Sequence, residues 1–292
     1  MSSPVLINGT HYDPDTDSFR YKFPKIQSFG HNEYEVALTT CNIFNSFFNI
    51  SEALGTNKIK IQFPSGDAYL PAIDITIPDG FYDATSFNLQ LQKIFVDNKL
   101  YSINPANGNY IYYLEMKISA TQYAIVLSDY PVTGDPISGA AWSASQFELR
   151  SPKIAFGKEL GKIFGFEETS TTDFTTFYGG NDFLNLNSTR TRYDTVSNIV
   201  PQINPSQSIV LRSNMVSNIG LANPSDFLYS LAINAAFGSL ISSPQHEPLY
   251  NTIRSGQYDE MTIKLFDNNL KPLLLKDTNV LFGLSFRKKI NY

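Results

Sequence analysis

Hydrophobic and polar positions alternate with a period of two over most of this chain, and the clearest instance lies near its carboxy-terminal end. Met261, Ile263 and Leu265 alternate with Thr262, Lys264 and Phe266, as a strand with one buried face requires. Asp267, Asn268 and Asn269 interrupt the run with residues that tolerate turn geometry. After a short apolar run at Leu273–Leu275, Val280, Phe282, Leu284 and Phe286 alternate again. No helix separates these segments, so antiparallel pairing is expected.

Earlier segments supply strands to cover that face. Residues 1–18 carry Pro4 and Pro14 and read as an arm, followed by a first strand at Phe19–Phe23. Glu33–Asn42 places Tyr34, Val36 and Leu38 on one side and Glu33, Glu35 and Ala37 on the other. Asn42–Glu52 reads as an aromatic, Asn-rich loop, and Lys58–Phe63 as a strand with Ile59, Ile61 and Phe63 inward. Ala72–Ile77 is a further strand, closed by the turn residues Pro78-Asp79-Gly80. Asp83 or Thr85 then caps a helix whose Phe87, Leu91, Ile94, Phe95 and Asn98 share one face. Asn107-Gly108 marks a turn, and Tyr110–Ile118 with Gln122–Leu127 reads as a strand pair. Pro131–Ser145 is a Pro/Gly/Ser/Ala loop around Trp142, and Glu168–Arg192 a long Thr/Asn/Gly loop. Strand patterning resumes at Ser208–Asn214, Phe227–Ala236 and Leu249–Ile253.

Two strands in 31–64 and about six in 196–287 predict a mainly β fold, an antiparallel jelly-roll sandwich with an inserted α+β module. The expected division is an arm at 1–30, a roll built from 31–64 and 196–292, and an insertion at 65–195.

Composition narrows the function. Of 292 residues, 42% are hydrophobic and 17% charged, with 22 Phe and 17 Tyr against 22 Lys plus Arg. A net charge of −5 disfavours a nucleic-acid binder, whereas abundant aromatics suit broad sheet faces and subunit contacts. Cys41 is the sole cysteine, which precludes an intrachain disulfide. The first residues lack the pattern of a signal peptide. Phe227–Ile241, the longest mainly apolar stretch, falls short of the roughly 20 residues of a spanning helix, so no membrane insertion is expected.

Candidate chemistry is sparse. Asp13, Asp15 and Asp17 invite a calcium reading, yet Ser18 and Pro24 stand where an EF-hand loop needs Gly and Glu. Glu33 and Glu35 share a predicted strand side that an enzyme could use as an acid/base pair, but without a nearby His or a pocket signature they read as a solvated strand face. Lys58 and Lys60 could meet nucleic acid, but alternation explains them. Gly157–Lys162 differs from a phosphate-binding loop in spacing and in having Ile163 after Lys, and reads as a short helix or turn. His11, His31 and His246 are far apart, and neither metal-ligand spacing nor a nucleophile setting occurs. Asn8, Asn49 and Asn187 head glycosylation sequons that an Asn-rich chain produces by chance. Catalytic, metal and cofactor sites are therefore all expected to be absent.

Taken in order, several segments resemble the penton (vertex minor capsid) proteins of virophages and Polinton-type viruses. They are EVALTTCNIFNSFFNIS (35–51), NKIKIQFPSG (57–66), ITIPDGFYDATSFNLQLQ (75–92), YIYYLEMKISATQYAIVL (110–127), FGKELGKIFGF (156–166), PQINPSQSIVLRSNMVSN (201–218), FGSLIS (237–242) and GQYDEMTIKLFDNNLKPLLLKD (256–277). The resemblance implies a non-enzymatic jelly-roll subunit made in the host cytoplasm and incorporated in the virion. It also implies that five copies close an icosahedral vertex among major capsid proteins. The basic triplet Arg287-Lys288-Lys289 leaves open a weak contact with packaged genome. The rival reading is a jelly-roll glycan- or receptor-binding module of the tail or adhesin kind, with exposed aromatics around Trp142.

Overall fold

The computed structural model describes residues 2–119, 121–144, 149–167, 174–183, 191–204, 206–218, 225–244, 247–273 and 275–289. The chain forms two compact units, Met1–Phe48 with Pro205–Tyr292, and Asn49–Asn204.

The first unit contains eight principal strands. They are β1 (Ser2–Asn8), β2 (Ser18–Phe29), β3 (Tyr34–Phe44), β4 (Ser208–Ser213), β5 (Phe227–Ala232), β6 (Leu240–Pro244), β7 (Gly256–Phe266) and β8 (Leu281–Lys288). One sheet has the order β1-β8-β3-β6 and the other β5-β4-β7-β2. Every pairing is antiparallel, and four of them join β1 to β8, β2 to β7, β3 to β6 and β4 to β5. A two-stranded ribbon doubled at β4–β5 and rolled into two sheets gives this pairing, which is the jelly roll. Ile7, Phe19, Leu38, Leu211, Met261, Ile263, Phe282 and Leu284 fill the space between the sheets, all at most 2% exposed. Phe19 meets Phe282 edge-on at 5.3 Å between ring centroids.

Of three register shifts among the described residues of this unit, those in β2 and β3 explain where simple alternation fails. In β3, Leu38 pairs with Leu284 and Thr40 with Gly283, so Thr39 is an extra, bulged residue. The inward phase then changes from Val36 and Leu38 to Cys41 and Ile43, all buried. In β2, Lys22 pairs with Glu260 and Gln27 with Tyr258, leaving residues 23–26 opposite Asp259 alone. Pro24, which cannot donate to a ladder, sits in that bulge.

The expected arm does not exist among the described residues. Val5 and Ile7 alternate with Leu6, and β1 pairs with β8 from Ser2↔Arg287 to Asn8↔Leu281. Residues 18–29 form the whole of β2. The expected roll boundaries are corrected as well. Lys58–Gln62 pairs with Ile73–Thr76 and Lys153–Phe156 in the second unit, and Tyr193–Val196 pairs there with Ile125–Asp129. The roll thus takes three strands from the amino-terminal segment and five from the carboxy-terminal one.

The second unit contains a four-stranded sheet, Tyr178–Gly179, Lys153–Phe156, Lys58–Gln62 and Ile73–Thr76 in that order. A three-stranded sheet follows the order Leu114–Ile118, Ile125–Asp129, Tyr193–Val196. Helix α1 (Ala84–Asp97) starts at Asp83, whose carboxylate accepts from the Ser86 amide at 2.7 Å while the Ser86 hydroxyl accepts from the Asp83 amide. The Ser86 hydroxyl, donating to the carboxylate at 2.7 Å, and then the Ser86 amide hold the Asp83 carboxyl below its usual range. The buried stripe Phe87, Leu91, Ile94 and Phe95 lies in the core, with Phe87 4.3 Å from Phe164 of helix α2 (Lys158–Phe164). Helix α2 ends at Gly165 with φ 80°, and a side chain on Gly161 would strike the Phe166 carbonyl oxygen.

Candidate assembly surface

The region with the least charge in the roll runs from β5 to β6. Residues 227–245 contain no Asp, Glu, Lys or Arg. Strand β5 is the outer strand of one sheet and β6 an outer strand of the other. Both therefore carry backbone donors and acceptors on a side that no other named strand pairs. Natural sheet edges are usually blunted by lysines, prolines or bulges. Strand β5, FLYSLA, has neither lysine nor proline, although its pairing with β4 is bulged at Leu228, and β6 carries a proline only at its last position, Pro244. Its connection to β6 is firmly held, since Asn45 Nδ2 donates to the Ala235 carbonyl at 2.7 Å and the Gly238 amide donates to the Asn45 carbonyl at 2.7 Å. Phe237 packs on Phe48 at 6.5 Å, yet 43% of it remains exposed, as do 47% of Leu240 and 56% of Leu249. A fixed, uncharged, partly apolar edge of this kind can add a strand or bury area against a neighbour without desolvating charge.

The residues singled out for chemistry are dispersed. Glu33 sits in the turn 31–33, where Asn32 takes φ 58°, whereas Glu35 lies within β3. The Glu35 carboxylate is engaged by Arg287 at 3.0 Å, and the guanidinium stacks over Tyr250 at 3.4 Å. The turn removes Glu33 from the strand face that alternation assigned to both, so the two carboxylates form no pair. Asp13 accepts from Thr16 Oγ1 and the Asp15 amide and pairs with Arg20 at 2.9 Å, while Asp17 accepts from Tyr12 Oη. The Thr16 hydrogen bond is the main cause of the lowered Asp13 pKa. These aspartates therefore build the hairpin between Tyr12–Asp13 and β2. Among the described residues, no group of three or more His, Cys, Asp or Glu side chains is placed to hold a metal ion.

Lys60 pairs with Asp74 at 3.2 Å and lies over Phe174, with Ile59, Ile61 and Phe63 buried beneath the strand. Arg287 is held by Glu35, and Lys289 Nζ donates to Asn32 at 2.7 Å, so the basic triplet is partly engaged within the roll. Cys41 is fully buried, and burial pushes its thiol up to about 12. Asn8 is exposed, and its Oδ1 accepts from Thr10 Oγ1 at 2.6 Å. His246, Asn187 and most of the 168–192 loop lie outside the described residues. No described helix is long and apolar enough to cross a membrane.

Trp142 corrects the glycan reading as first framed. It is 3% exposed, its Nε1 donates to the Lys99 carbonyl at 2.9 Å, and its ring packs 5.2 Å from Phe63. The loop around it is polar and small because the indole itself points into the core of the second unit.

Two polar residues that sequence reasoning did not single out for this role organise that unit. Asn49 is 1% exposed, and its Nδ2 donates to the carbonyls of Tyr82 and Ile203 at 2.8 and 2.9 Å. Its Oδ1 accepts from the Tyr82 amide at 2.8 Å. Asp129, fully buried, accepts from Ser151 Oγ and from Asn181 Nδ2, the latter at 2.9 Å. Burial raises its pKa against the opposing pull of these hydrogen bonds. Ser151 is equally buried, and its hydroxyl donates a hydrogen bond to the Asp129 carboxylate. The cluster fastens three distant segments and exposes no nucleophile.

No protein-family model matches the chain, and no curated protein matches it. Among solved structures it is similar to the mavirus penton protein, with a TM-score of 0.43 and 11% identity over 99% of this chain and 98% of that one. It is also similar to a chain in the 3.5 Å cryo-EM structure of the Sputnik virophage, with a TM-score of 0.41 and 14% identity over 99% and 97%.

Proposed function

We propose that the chain is a structural, non-enzymatic subunit of a viral capsid, and within it the penton, five copies of which close each icosahedral vertex. The observation that carries this reading is the uncharged pair of sheet edges, β5 and β6, on a jelly roll. A heterologous ring uses one surface of each copy against a different surface of the next, and stable contacts of that kind bury roughly 800 Å² per partner. Edges without charge lower the cost of burying such area. The ordered series of penton-like segments between residues 35 and 277 supports the finer assignment. Mechanistically, the subunit works by assembly. The roll supplies edges to neighbouring copies and to major capsid subunits, and the second unit is carried between β3 and β4 as a module free to diverge. The virion is then its location.

Co-expression with a major capsid protein followed by electron microscopy tests this proposal. The expected result is density for this chain at the five-fold vertices. Shells that close without it, with the chain left in the soluble fraction, would overturn it.

A further inference from the structure

The second unit presents an exposed tyrosine on a core-anchored aromatic hairpin, which folding alone does not explain. Ser102–Ile103 pairs with Tyr110–Ile111, placing Tyr101, Ile103, Tyr110 and Tyr112 on one face of a hairpin. The Tyr101 and Tyr110 rings lie 4.6 Å apart, and Tyr110 meets Tyr112 edge-on at 6.4 Å. Tyr112 is in turn backed by Phe95 of helix α1 at 6.3 Å, so the platform is anchored in the core. Tyr101 is buried and Tyr112 half-buried, yet Tyr110 is 50% and Ile103 47% exposed, so Tyr110 is the ring the hairpin presents.

The hairpin loop adds polar groups of one kind. Asn104 and Asn107 spend their side-chain carbonyls on the amides of Ala106 and Asn109, at 2.9 and 3.0 Å. Their Nδ2 groups, and the exposed Asn109 side chain, make no hydrogen bond within the described residues. Residues 100–114 contain no charge at all, and the flanking charges are used elsewhere. Lys99 reaches the Ser138 carbonyl and Glu115 accepts from Tyr130 Oη. A rigid, amphipathic tyrosine beside amide donors, in a segment without charged side chains, matches the surface of a neutral sugar, which offers apolar C–H faces and ring hydroxyls. A nucleic acid or an acidic glycan would want cations here.

We propose that the Tyr101–Tyr112 hairpin is a binding site for neutral carbohydrate, with the Tyr110 ring stacking on a pyranose face and the Asn107 and Asn109 amides donating to its hydroxyls. This site is distinct from the Trp142 loop and does not depend on the capsid role.

The test is an array of neutral, sialylated and sulfated glycans probed with the full chain. Retention of neutral glycans is expected. Tyr110→Ala should weaken it about tenfold, the loss of one stacking ring, while Tyr110→Phe keeps it. Asn109→Ala, at an exposed side chain that makes no hydrogen bond within the described residues, should also weaken it with an unchanged melting temperature. Retention of charged glycans only, an empty array, or binding indifferent to these variants would overturn the proposal. So would a Tyr110→Ala change in oligomeric mass without glycan retention, which would assign the face to a protein contact.

Discussion

Asn49 offers the sharpest energetic test of how the second unit is held. Its side chain makes three hydrogen bonds of 2.8–2.9 Å, to both backbone groups of Tyr82 and to the carbonyl of Ile203. Asn49→Ala leaves one amide and two carbonyls without that partner in a buried setting. At about 1 kcal/mol net for each bond, the expected loss is about 3 kcal/mol. For a unit of this size, 1 kcal/mol lowers Tm by roughly 2–4 °C, so a shift of about 9 °C is expected. Trp142 is the only tryptophan and lies in the core of this unit, so its fluorescence follows this transition specifically. Asn49→Asp at pH 7 sharpens the test. It keeps an acceptor for the Tyr82 amide but turns two donations into carboxylate–carbonyl repulsions in a buried site, and should cost at least as much as Ala. A melting temperature within about 1 °C of the parent for Asn49→Ala, or an Asp variant as stable as the parent, would refute the reasoning.

Further outcomes follow from the same geometry. Phe282→Ala removes a fully buried ring that meets Phe19, and should cost about 3–5 kcal/mol of the roll's stability in a denaturant titration followed by circular dichroism; a loss under about 1 kcal/mol would contradict the assigned core. Cys41, with its thiol pushed up to about 12, should resist a thiol reagent at pH 8 in the native protein and react with one equivalent after unfolding in guanidinium. Asp83→Ala should cost about 1 kcal/mol at pH 7 through the lost cap of α1. Because the fold lowers the Asp83 pKa, its contribution is present above the unfolded value and lost as pH falls through the folded one, so parent and variant should converge in acid. A gap independent of pH would show that the carboxylate is not the stabilising group.

Strands whose partners lie on one face were legible wherever alternation ran undisturbed, as at Ile59, Ile61 and Phe63 or Phe282, Leu284 and Phe286. Alternation reports a face and not a partner, and so Lys58–Gln62 carried no sign that it pairs with residues 73–76 and 153–156 instead of the roll. Strand β1 was hidden by Pro4, although Val5 and Ile7 carried its signal. The bulge at Thr39 shifts phase within one strand, which a fixed period cannot follow. The cap and stripe of α1 were readable because both are local. Asn49 and Asp129 were not, since their partners lie up to 154 and 52 residues away. Trp142 was misjudged for a related reason, because a small polar loop can deliver one large ring to a core that its own composition does not reveal. The tyrosine hairpin lay in plain view as a strand signal, but exposure of Tyr110 is a property of the fold.

The claim that this chain is built to close a five-fold vertex is tested most directly by native mass spectrometry of the purified protein. A species of about 164 kDa, five times the 32.7 kDa chain, is the predicted result. A single peak at the mass of one chain, across concentrations and in the presence of a major capsid partner, would contradict it.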